Sequence, residues 1–281
     1  MNLPKGGIAF FDSGVGGLTV LSSCQKYFSG GVFYYYGDNA RAPYGNRPDS
    51  EILAYLREAF DLFAHLKVKA AVIACNTATA VAAEKLRTEY PFPIVGAEPS
   101  VFPAAKGGGE VFILSTKATY QSERYKSLCA RVRARYPEVR LRSYACEKLA
   151  GEIEKTLPDL DFPLSEFLPV GNPSAVVLGC THYIFLKKKI EEFYGCPCYD
   201  GNDGIAKRLV SVVENRDGRP TQPPAPTYPP KKRFFRATRT KKFRLKCIFV
   251  DNARFFRLFF LGSGKKKNVK IYEQMFISIK K

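Results

Sequence analysis

Two short segments of this chain carry a cysteine in nearly the same setting: Ala71-Val72-Ile73-Ala74-Cys75-Asn76-Thr77 and Val176-Val177-Leu178-Gly179-Cys180-Thr181-His182. Each is an apolar run that halts at a thiol followed by small polar residues. A free thiol ionises near about pH 8.5, and neighbouring N–H donors or a helix start bring that lower. The thiolate is then a general base and the thiol a general acid. Two such groups in matched settings suit a reaction that needs an acid/base group on each side of one atom. His182 stands two residues after Cys180, whereas His65 falls inside an amphipathic helical stretch and reads as structural. A third polar cluster, Asp12-Ser13-Gly14-Val15-Gly16-Gly17, puts backbone N–H groups at a helix start, a setting for a carboxylate or another anion. There Asp12 could orient or deprotonate a neighbour. The turn lacks the third glycine of a dinucleotide fingerprint, since Thr19 occupies that place, and it lacks the Gly-Lys-Ser/Thr of a P-loop.

These groups need elements to hold them. Apolar, β-branched runs of this length are buried strands, and polar clusters at their carboxyl ends are where open α/β sheets place ligands. Strands are expected at 8–11, 32–36, 69–74 and 94–98, with a helix from Ser50, as its N-cap, to Leu66. The pattern restarts with strands at 111–114, 139–145 and 176–178, a basic helix over 122–135, and a helix over 205–214. Strands alternating with helices predict parallel sheets. Arg219–Pro230 is proline-rich and reads as an extended linker. Beyond it the sequence predicts a strand over 243–250 and a short helix over 253–261.

Composition narrows the class. The 281 residues are 46% hydrophobic, a globular balance with room for two cores. No apolar stretch approaches the ~20 residues that span a bilayer, and the amino terminus shows no secretory pattern, so a cytoplasmic protein without membrane partners is expected. Eight cysteines then read as reduced thiols. Cys196-Pro197-Cys198 is too tight for an ordinary zinc knuckle, and no metal is expected. Most of the +18 net charge lies at the end of the chain: Lys231–Lys281 holds 17 Lys/Arg against two acidic residues. Its interleaved aromatics, as in Lys231-Lys232-Arg233-Phe234-Phe235-Arg236, leave two readings open, a nucleic-acid contact or a solvated basic extension.

Four strings taken together carry a resemblance. They are Asp12-Ser13-Gly14-Val15-Gly16-Gly17-Leu18, Gly37-Asp38-Asn39-Ala40-Arg41-Ala42-Pro43-Tyr44-Gly45, Ala74-Cys75-Asn76-Thr77-Ala78 and Leu178-Gly179-Cys180-Thr181-His182-Tyr183. The chain from about Ile8 to Glu214 closely resembles glutamate racemases, in which these motifs occur in this order. The resemblance implies two similar α/β domains with mainly parallel sheets, related by a pseudo-twofold, with the active site at their interface. The first domain would be 1–98 plus about 210–281, with the basic segment 219–281 returning to it, and the second 99–209.

The resemblance further implies interconversion of L- and D-glutamate without a cofactor, as a supply of D-glutamate for peptidoglycan. Cys75 and Cys180 would be the catalytic thiols, one removing the Cα proton while the other delivers a proton to the opposite face. Asp12 would stand beside Cys75 and His182 would assist Cys180. The family's glutamate before the second thiol falls on Glu154. The prolines and valine of its surrounding segment are replaced here, which leaves Glu152 as an alternative. Substrate contacts are expected from Asp12, Ser13, Pro43, Tyr44, Gly45, Asn76, Thr77, Thr119, Thr181 and His182. A racemase for aspartate or another amino acid is the neighbouring alternative, and a homodimer is left open.

Overall fold

The computed structural model describes residues 6–28, 31–214, 246–250 and 256–261. The apolar runs become strands of two separate sheets. In the first, β1 (Ile8–Asp12) is buried along its whole length between β2 (Gly31–Gly37) and β3 (Ala70–Ile73), with β4 (Ile94–Gly96) beyond β3. In the second, β5 (Glu110–Ser115) lies between β6 (Arg140–Ala145) and β7 (Ala175–Gly179), with the short β8 (Cys198–Tyr199) beyond β7. All of these neighbours pair in parallel. The two units repeat one topology: the first strand is central, the second lies on one side, and the third and fourth lie on the other. In such sheets the ligand crevice opens where neighbouring crossovers part, between first and third strands.

Helices cover both faces, as parallel sheets require. On the first sheet, α1 (Gly17–Gln25) and α9 (Asn202–Glu214) pack on one side. Leu18, Leu21, Ile205 and Leu209 join Phe10, Phe33 and Val72 there. On the other side α2 (Asp49–His65) and α3 (Asn76–Glu89) place Leu56, Phe60, Phe63 and Leu86 against Phe11 and Ile73. The second sheet is covered by α4 (Val101–Ala105), α5 (Lys117–Gln121) and α6 (Glu123–Arg135), and by α7 (Leu149–Thr156) and α8 (Lys187–Tyr194).

Two segments cross between the sheets. One follows β4 through Glu98 to Ser100; the other runs from β8 through Asp200 to α9. They are tied together, because Ser100 Oγ donates to the Asp200 carbonyl at 2.6 Å. Beyond Asp200–Gly201 the chain enters α9, whose Ile205 and Leu209 pack on the first sheet.

Two expectations are corrected. Ser50 does not cap α2: the helix starts at Asp49 with Pro48 in the cap position, where Asp49 and Glu51 favour the positive helix start. The short helix expected over 253–261 is not found at its described residues. Residues Phe256–Leu261 form β10, which pairs in parallel with β2, and β9 (Lys246–Val250) pairs antiparallel outside it. An edge offered by β2 overrides local preference, and the aromatic-rich Phe-Arg-Leu-Phe-Phe-Leu run suits a pleated strand. The rest of the basic segment, and with it the 219–230 linker reading, lies outside the described residues.

Candidate active site

Asp12 ends β1 and Cys75 follows β3, on one edge of the first sheet; Thr116 follows β5 and Cys180 follows β7, on the matching edge of the second. These edges meet. Thr181 Oγ1 donates to Asp12 Oδ2 at 3.1 Å, and the hydroxyls of Thr77 and Thr116 lie 2.8 Å apart. Each bond joins one unit to the other.

Cys75 is the N-cap of α3, with its Sγ accepting from the Ala78 N–H at 3.4 Å and from the Ser13 hydroxyl at 3.5 Å. A helix start and an O–H donor both favour a thiolate. Burial wins: with the Asp12 charge beside it, the thiol is pushed up to about 12, against those two donors. The Cys180 side chain is near enough to add to that rise. Cys75 therefore rests as a thiol at neutral pH.

Cys180 precedes a 3-10 helix over Thr181–Leu186, and its Sγ lies 3.8 Å from His182 Nδ1. The far side of that ring is held by Glu154, whose Oε1 is 2.6 Å from His182 Nε2. Burial alone would lower the imidazole's pKa, yet hydrogen bonds to Cys180 and Glu154 hold it well above its ordinary value. An imidazolium is thus kept beside the second sulfur. Burial raises the Asp12 carboxyl, opposed by His182, by the Gly14 and Gly17 N–H groups and by Thr181.

The glycine-rich turn has a different role from a phosphate cradle. A Cβ at Gly16 would lie 2.5 Å from Thr181 Oγ1 and 2.7 Å from its Cβ, and one at Gly14 would strike Glu154. Gly14 and Gly16 are needed because the opposite unit presses against this turn; neither has a positive φ.

The strand-end edges of the two units thus bring a pair of thiols together, each with its own polar escort, around one buried locus. The Asp/Glu/Hydantoin racemase family profile matches residues 22–209. The chain belongs to the Asp/Glu/Hydantoin racemase family. A glutamate racemase of Leptospira interrogans is 37% identical over 216 residues, which cover 74% of this chain and 82% of that one. A glutamate racemase of Clostridium botulinum is 36% identical over 219 residues, covering 74% and 84%. The crystal structure of Escherichia coli glutamate racemase in complex with L-glutamate superposes with a TM-score of 0.68 at 28% identity, covering 79% of this chain and 87% of that one.

Within this racemase fold the sequence-derived residues divide. Asp12, Ser13, Cys75, Thr77, Thr119, Glu154, Cys180, Thr181 and His182 gather at the seam. Thr119 Oγ1 is 3.0 Å from Thr116 Oγ1. Asn76 leaves its Oδ1 buried without a hydrogen-bond partner. Glu152 turns away and pairs with Lys155 at 3.2 Å. Tyr44 is buried, with its hydroxyl donating to Asp38 Oδ2 at 2.5 Å. The Tyr44 side chain therefore shapes the Pro43-Tyr44-Gly45 loop, while Gly45 abuts Thr116, 3.1 Å from where a Gly45 Cβ would stand.

Sequence reasoning missed Thr116 and Asp38. Thr116 caps α5 and links Thr77 to Thr119; its signal in the sequence is the Ser115-Thr116-Lys117-Ala118-Thr119 cluster at a strand end. Asp38 is fully buried, and it binds Tyr44 and pairs with Arg41 at 2.7 Å. A buried carboxylate in a loop is visible only once the fold shows its depth.

Proposed function

We propose that this chain interconverts L- and D-glutamate without a cofactor, with Cys75 and Cys180 as the two acid/base groups. The observation that carries the reading is the placement of each thiol after the third strand of its unit, at a seam bonded through Asp12 and Thr181. Inversion at a planar carbanionic centre needs a base on one face and an acid on the other, and the pseudo-symmetric site supplies both.

Substrate binding follows from the donors present. Asn76 Oδ1, buried and lacking a partner, accepts from the substrate ammonium; a buried acceptor left unpaired costs about 1–3 kcal/mol. The ammonium in turn offsets the desolvation that holds Cys75 protonated. The hydroxyls of Ser13, Thr77, Thr116, Thr119 and Thr181 and the helix starts of α3 and α5 receive the two carboxylates. Proton removal at Cα places more negative charge on the α-carboxylate. Pre-placed donors in a dry site each stabilise such a charge by ~3–4 kcal/mol, by analogy with oxyanion holes. His182, held by Glu154, gives the Cys180 thiolate a counter-charge and returns its proton. Asp12 orients the first half-site.

The same reading places the enzyme in the cytoplasm, supplying D-glutamate for peptidoglycan. No helix among the described residues is long and apolar enough to cross a membrane. Among the described residues it also divides the chain into one domain of residues up to 98 with 202–214, 246–250 and 256–261, and another of 99–201. This division is supported by Ile205 and Leu209 lying in the core around Phe10. A homodimer and a nucleic-acid contact through 231–281 are tested by light scattering and by salt-dependent DNA binding of the full chain.

The test is Cys75→Ser and Cys180→Ser, each assayed from both enantiomers. Either change removes racemisation by 10²-fold or more on general acid–base grounds, roughly. Near-wild-type turnover in either variant overturns the assignment.

A further inference from the structure

The seam has an outer closure as well as its inner bonds. Arg124, at the second position of α6, reaches out of its own unit. Its Nη1 is 3.2 Å from Glu84 Oε1 on α3, and its Nη2 is 3.2 Å from Glu98 Oε2 on the crossing segment. Arg131, further along α6, lies 3.3 Å from Glu98 Oε1 and over the Phe102 ring, and it does not pair with Glu84. A cation in the first turn of a helix opposes the helix dipole, so this placement of Arg124 depends on its carboxylate partners. The pairs line a groove of about 1170 Å³ whose walls come from both units.

The leverage is geometric. The helix that carries Glu84 begins at Cys75, and the helix that carries Arg124 follows directly on α5, which carries Thr119 and is capped by Thr116. The crossings at Glu98–Ser100 and Asp200–Gly201 are tied at one place, by the bond from Ser100 to Asp200. Glu98 stands on the crossing itself, so its pairs with Arg124 and Arg131 sit where the chain already joins the units. Arg124–Glu84 instead ties α6 of one unit to α3 of the other, away from the crossing.

We propose that Arg124 is a positioning residue: its bridge to Glu84 latches the two units in the closed arrangement that aligns Cys75 with the Thr116–Thr119 donors. This rests on the seam being the racemase site. The bridge is water-accessible, with 31% and 75% side-chain exposure. It is therefore weak enough to open and close, and it is screened by salt.

The experiment measures KM and kcat for both enantiomers in the wild type, Arg124→Gln, Glu84→Gln, the double variant and Arg131→Gln, with melting temperatures alongside. Arg124→Gln raises KM about two- to five-fold, the range a surface ion pair supports, with kcat and the melting temperature held. In the Glu84→Gln background the same change has little effect, and Arg131→Gln leaves KM where it was. On the unaltered protein, KM rises with added salt, and Arg124→Gln flattens that rise. The latch is overturned by an unchanged KM in Arg124→Gln, by an effect of equal size in the Glu84→Gln background, or by equal salt dependence in the two proteins. Absence of glutamate racemisation in the wild type would instead overturn the activity itself.

Discussion

His182 is the residue whose surroundings decide most. It is buried, yet it stands between Cys180 at 3.8 Å and Glu154 at 2.6 Å, both of which favour its charged form. Glu154→Gln removes the anionic partner, so the imidazole loses its proton at lower pH and Cys180 loses its counter-charge. Racemisation falls by about 10–100-fold, the order seen when an orienting partner is lost, and the falling limb of the pH profile moves to lower pH. Glu152→Gln, whose partner is the exposed Lys155, leaves turnover close to wild type. Steady-state assays across pH check both. At this scale the sequence was informative where chemistry is local. Cys75, Cys180 and His182 stand in short strings, and Glu154 came only through the resemblance to glutamate racemases. Thr116 and Asp38 escaped because the bond from Thr116 to Thr77, 39 residues away, and the burial of Asp38 appear only in the fold.

At the scale of elements, the turn between β1 and α1 shows how closely the units approach. Its glycines are dictated by the neighbour across the seam. Gly16→Ala sets a methyl group 2.5–2.8 Å from the Thr181 side chain and backbone, in a backbone conformation that alanine accepts freely. The cost is therefore steric alone: about 1–3 kcal/mol of stability as overpacking, with a larger loss of turnover because Asp12 and Thr181 part. Thermal melts and kinetics of that variant separate the two effects; full activity would contradict the close approach. The central strands were legible because buried parallel strands write themselves as apolar runs, whereas the two-residue β8 carries no such run. The helix expected at 253–261 was not, because an unfilled edge on β2 is a property of the sheet and not of the segment. The cap of α2 was missed by two residues, since Pro48 and Asp49 compete with Ser50 for the start.

For the whole molecule, two repeats of one strand order set two thiols in equivalent positions, and a pattern that restarts near 111 was readable as such a repeat. The crossing at Asp200–Gly201 has no composition of its own to mark it in the sequence. Burial also sets the alkaline limit of the fold. Cys24, Cys75, Cys146 and Cys198 are each pushed from 9.0 to about 12 by burial. A folded-state pKa above the unfolded value gives stability that is complete below pH 9.0 and lost as pH rises towards about 12. Melting temperatures are accordingly flat with pH up to about 9 and fall steadily above it; a flat profile through that window would contradict the burial of these thiols.

Everything at the three scales converges on a proton taken from one face of glutamate and another given to the opposite face. Racemisation of L-glutamate followed in deuterium oxide tests this most directly. At the earliest conversions the D-glutamate formed carries deuterium at Cα while the remaining L-glutamate does not, because the donating thiol has exchanged with solvent and the abstracting one is a different group. D-Glutamate that retains the original Cα proton would mean that a single group serves both faces, and would contradict the two-thiol site.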